Sequence, residues 1–94
     1  MGDKFATSEV ARMTEGLRSL YVSLRKYFLE YCEEHPEFAG KNSDLLALIL
    51  ASEDVRRFEY GTKIDSMIAA INKDAPSGAT FGTFSDGLGV GWMW

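Results

Sequence analysis

Apolar residues recur at helical spacing through the first third of the chain. Val10, Met13, Leu17, Leu20, Leu24, Tyr27 and Tyr31 follow one another at alternating intervals of three and four, the signature of one helix face. Tyr21 and Phe28 widen that face, and Arg12, Glu15, Ser19, Lys26, Glu30 and Glu33 fall opposite it. Thr7 or Ser8 can cap such a helix by accepting a hydrogen bond from a free N–H of its first turn. Glu9 then sits in that turn, where the helix dipole favours an acid. Pro36 disfavours helical geometry at His35, so the pattern predicts one helix from about Thr7 to His35.

Pro36 to Asn42 reads as a connecting loop, with turn chemistry at Gly40, Lys41 and Asn42. Asn42, Ser43 or Asp44 can cap a second helix running to Asn72 or Lys73. Leu46, Ile49, Leu50, Tyr60, Ile64, Met67, Ile68 and Ile71 share one face of it. Glu53 and Arg57 lie on the same face, four apart with the acid first, the favourable order for a helical ion pair. Ser52 offers a break point where a fresh helix would begin, and Gly61 weakens the segment by ~1 kcal/mol relative to alanine.

From Ala79 the pattern changes. Asp86 is the one charged side chain in the segment ATFGTFSDGLGVGWMW, which also holds both tryptophans of the protein. Leu88, Val90, Trp92 and Trp94 alternate with Gly89, Gly91 and Met93. That is a strand pattern with one bulky face and one nearly bare face. No second strand is evident, so its unpaired backbone groups favour addition to the sheet edge of another chain, the alternative being a tail that covers its own helical hairpin and helps build the core.

These elements together predict an all-α fold: an antiparallel helical hairpin over residues 1–74, its second helix broken or continuous at Ser52, and an extended docking tail over 75–94. Val22 and Leu29 on the first helix, and Leu45, Leu48, Val55 and Phe58 on the second, lie off the main stripes. A core this small seldom supplies more than ~3–5 kcal/mol, so the surplus apolar surface predicts a further layer: the tail folded back, a partner or, the favoured reading, a second copy of the chain.

Composition narrows the function. The chain has 94 residues and a net charge of −4, which suits one domain and argues against nucleic acid as a partner, because phosphate binding draws on clustered Lys and Arg. Cys32 has no second cysteine to pair with, which fits a reducing compartment. No apolar run is long enough to span a membrane, and the N-terminus lacks the pattern of a secretion signal.

Candidate chemistry is sparse. Cys32 and His35 stand three apart, but one Cys and one His fall short of a zinc site, and no third group or oxyanion donor completes a nucleophile. Neither metal nor cofactor is expected. Gly87, Gly89 and Gly91 lack the dinucleotide spacing and a following helix. Arg18 and Arg25, two turns apart with Tyr21 between them, could bind an anionic ligand.

The expected protein is therefore not an enzyme. It is an interaction or assembly subunit that self-associates through its helices and docks through Phe81, Phe84, Leu88, Val90, Trp92 and Trp94. The alternative is a small inhibitor that sequesters an anionic ligand at a subunit interface, near Arg18, Tyr21 and Arg25. No segment carries a family signature. In general build the chain resembles minor virion or adaptor components, and its hairpin is similar to small phage proteins that sequester nucleotide signals. The resemblance to virion components implies a viral particle as an alternative to the cytoplasm that the lone cysteine suggests, while the tail and the surplus apolar surface predict protein partners including the chain itself, and the missing signal pattern predicts no secretion.

Overall fold

The computed structural model describes residues 7–14, 16–51 and 59–94. In chain order the elements are β1 (Thr7–Arg12), α1 (Leu17–Glu34), α2 (Pro36–Lys41), α3 (Ser43–Ala51), α4 (Tyr60–Lys73), β2 (Thr80–Thr83) and β3 (Gly89–Met93). The all-α hairpin with a separate tail is therefore corrected to a mixed α/β fold. The tail forms a β-hairpin that joins β1 in a three-stranded antiparallel sheet of order β1-β3-β2. The last strand of the chain is the central one.

The N-terminal strand overturns the helix expected from Thr7. β1 pairs with β3, Thr7 opposite Met93 and Arg12 opposite Gly89, with a bulge between Glu9 and Ala11. Met13 N–H then donates to the Leu88 carbonyl at 2.7 Å. Gly16, at φ +103°, stops the chain in a conformation no helix contains. The spacing of Val10 and Met13 matched the helix seam only because a bulged strand also returns apolar side chains to one side.

Beyond Gly16 the predicted periodicity holds from Leu20, while Leu17 stays exposed. α1 buries Leu20, Tyr21, Leu24, Phe28, Tyr31 and Cys32, and it ends before Pro36 as the steric argument requires. Pro36 then opens α2 rather than a loop, because its fixed φ suits the first helical position. Asn42 closes α2, its backbone N–H and its side-chain Nδ2 each donating to the Phe38 carbonyl at 3.0 Å. In α3, Ile49 is the buried residue. Arg25 of α1 crosses to the end of α3 and donates to the carbonyls of Ile49 (3.2 Å) and Leu50 (3.5 Å), in the last turn of the helix, where carbonyls commonly take side-chain partners. α4 buries Tyr60, Ile64, Met67 and Ile71. The break at Ser52, the Glu53–Arg57 pair, Val55, Phe58 and Glu15 lie outside the described residues.

One core spans both layers. Phe81 of β2 and Val90 of β3 join the α1 and α4 stripes in a single cluster with Phe38 and Ile49. Among the described residues, no helix is long and apolar enough to cross a membrane.

Candidate interaction surface

The six tail residues expected to dock divide into distinct environments. Phe81 and Val90 are each 1% exposed, inside the core of their own chain. Phe81 stacks on Tyr27 of α1 at 5.9 Å and meets Trp92 edge-on at 5.0 Å. Its N–H, at the outer edge of β2, donates to Asn72 Oδ1 at 2.9 Å. A side chain of α4 thus occupies part of the β2 edge, while the other edge strand, β1, carries the bulge and the charges of Glu9 and Arg12. Both are devices that discourage further strand addition.

Phe84 lies on the opposite face of the sheet, where it covers the bare backbone of β3. A Cβ at Gly89 would meet the Phe84 ring at 2.8 Å, and one at Gly91 would meet it at 3.0 Å as well as the Ser8 carbonyl oxygen. The glycines there allow an aromatic ring to close over the central strand.

Leu88 is exposed in the β2–β3 turn. The turn is held by Asp86, whose Oδ1 accepts from the N–H of Leu88 (2.9 Å) and of Gly89 (3.3 Å). Its Oδ2 accepts from Arg12 Nη1 at 3.1 Å. The Leu88 N–H and the Arg12 guanidinium hold the Asp86 carboxyl below its ordinary range. Arg12 is raised in turn, first by Glu9 and then by Asp86.

Trp92 is half-buried against the core, and Trp94 remains at the surface. The Trp92 indole N–H donates to the Tyr27 hydroxyl at 2.9 Å, and its ring centre lies 6.4 Å from that of Tyr31. Tyr31 donates in turn to Asp74 Oδ2 at 2.8 Å. Burial, and then that hydrogen bond, push the Tyr31 phenol well above its usual range. Trp94 lies beside Trp92, ring centres 6.3 Å apart and planes tilted by 30°, and stays 52% exposed. Tyr27, Trp92 and Trp94 together form an aromatic edge where the sheet meets α1.

Chain comparisons with known protein families, characterised proteins and solved structures returned no match.

The residues expected to hold an anion do not form one open site. Tyr21 is buried against Tyr60 at 5.3 Å; burial raises its pKa and Arg25 partly offsets this. Arg25 is engaged with the end of α3. Arg18 lines a surface depression with Ser19, Val22 and Ser23. Cys32 is buried, which pushes its thiol up, while His35 is exposed, its ring tilted against that of Tyr31 with centres 4.2 Å apart. Among the described residues no three His, Cys, Asp or Glu side chains gather as metal ligands would.

Sequence reasoning placed Tyr27 only in the helix seam and missed its part in the aromatic edge. The available signal was its position at the margin of the stripe, next to Glu30 and Glu34 at helical spacing. The role of Asn72 left no trace in the sequence.

Proposed function

We propose that the protein is a non-enzymatic interaction or assembly subunit, acting in a cytoplasm or a viral particle. It self-associates through helix α3 and docks a second protein at the aromatic edge. The observation that carries this reading is the apolar surface left over once the core has closed. Leu48 and Leu50 of α3 are 49% and 56% exposed, with Trp94 similar. A helix apolar on every side ordinarily belongs in an interior, and tryptophan is enriched where protein partners bind most strongly.

Sedimentation of the intact chain tests the self-association. The expected mass is a multiple of 10.5 kDa, reduced to the single-chain value by Leu48→Glu with Leu50→Glu. A wild-type chain that stays at the single-chain mass at every concentration removes that half of the proposal.

A second reading, sequestration of an anionic ligand, draws on the start of α1. Arg18 and Ser19 stand there beside backbone N–H groups that no side chain caps among the described residues, and helix N-termini attract anions. A ligand that binds only the folded state raises its stability. Thermal shifts with inorganic phosphate and with nucleotides therefore separate this reading from the first.

A further inference from the structure

The aromatic edge has an acidic border. Glu30 and Glu34 follow Tyr27 by three and seven residues, which places all three along one flank of α1. β3 and α1 run in the same sense. The Leu88 carbonyl, before β3, bonds Met13 shortly before α1 begins, and Trp92, near the end of β3, reaches Tyr27 and Tyr31. Trp94 therefore lies toward the half of α1 that carries Glu30 and Glu34.

Folding does not account for those acids. The ion pairs among the described residues are Arg12 with Glu9, Arg12 with Asp86 and Lys63 with Glu59. None involves Glu30, Glu33, Glu34 or Glu37, and all four are exposed. The last turn of α1 contains no base, although the negative end of a helix dipole favours cations and disfavours carboxylates there. Acids without an ion pair among the described residues thus lie toward the exposed Trp94 indole and the half-buried Trp92, and both groups attract the same chemistry. A guanidinium or ammonium is drawn to an aromatic face by the ring quadrupole and to a carboxylate by charge.

We infer that the surface of Tyr27, Trp92 and Trp94, bordered by Glu30 and Glu34, docks a basic segment of a partner protein, with an Arg or Lys side chain laid against the indoles. The inference rests on the docking half of the proposed function and names its partner's chemistry. Nucleic acid does not suit this surface, because the same carboxylates repel phosphate.

The test uses the full-length chain and two fluorescein-labelled peptides of equal length, one alternating Arg and Leu, the other alternating Glu and Leu. Fluorescence anisotropy reads binding. The basic peptide is expected to bind saturably and to weaken as salt rises. Trp94→Ala should weaken it about tenfold, as removal of one aromatic anchor does. Glu30→Gln with Glu34→Gln should weaken it several-fold and flatten the salt dependence, and these exposed positions keep the test informative even if the Trp94 variant loses its fold by circular dichroism. The acidic peptide should not bind. No saturable binding of the basic peptide at ~100 μM protein, a range that already admits weak complexes, overturns the inference. So does unchanged affinity in the glutamine variant, which would mean attraction to the net charge alone. Self-association measured by sedimentation is read separately, so either half can fail without the other.

Discussion

Helix α3 and the C-terminal hairpin are both apolar and nearly free of charge, yet they occupy opposite places. The hairpin supplies the central strand of the sheet and two core residues, Phe81 and Val90. α3 lies at the margin, where Ile49 is buried while Leu48 and Leu50 stay about half exposed. Apolar content does not explain the difference; backbone hydrogen bonding does. A helix satisfies its own N–H and C=O groups and can stay at a surface. A strand cannot, so it must find neighbours. Here β3 finds one on each side.

The sharpest way to break this comparison is to obstruct the central strand. Gly91→Val would drive a side chain into the Ser8 carbonyl oxygen, the Glu9 Cα and the Phe84 ring. Two of those obstacles are backbone atoms that cannot rotate away, so a loss of about 2–3 kcal/mol is expected, typical of overpacking. Urea unfolding measures it. A variant as stable as the parent would show that β1 and β3 are not held together as described. Removing residues 89–94 should do more, abolishing the cooperative thermal transition rather than trimming an appendage.

A smaller contrast lies within α3. Ile49→Ala should cost about 2–4 kcal/mol, the range for a buried aliphatic side chain, while Leu48→Ala should stay within ~0.5 kcal/mol in the monomer. Equal effects in chemical denaturation would mean that α3 packs through a different face. A Leu48 effect that grows with protein concentration would instead tie that face to self-association.

The smallest effect concerns the hairpin turn. Asp86 is held below its ordinary value of 3.8 by the Leu88 N–H and Arg12. A depressed carboxylate contributes stability above its unfolded pKa and loses it as pH falls through the folded pKa. The turn should therefore loosen below about pH 4, the ordinary carboxylate range. The Leu88 and Gly89 amide resonances should follow that titration, and Asp86→Ala should remove it. Amide shifts that do not change across this window would separate the turn from Asp86.

Much of the helical layer was legible in the chain. The Leu20–Leu24–Tyr31 stripe, the stop imposed by Pro36 and the Ile64–Met67–Ile71 stripe each follow from local geometry, and the strand pattern from Leu88 onward was legible too. The candidate surface was half legible. Trp92 and Trp94 stood out by residue type and alternation, but nothing local separated them from Val90, which shares the alternation and is buried, or from the equally aromatic Phe81.

The sequence by itself determined the apolar stripes of α1 and α4, where Pro36 would end a helix, and that residues 88–94 would be extended with a bulky face and a bare one. Those are properties of dihedral preference and side-chain period, which act over a few residues. Only the tertiary structure decided that Thr7–Arg12 is a strand, that the last strand lies between the other two, and that Trp94 stays outside while Val90 does not. The pairing of β1 with β3 joins residues more than seventy positions apart, and its rewards come from backbone groups that every residue carries. The tail was indeed built to pair, and its strand partner lay at the other end of the same chain.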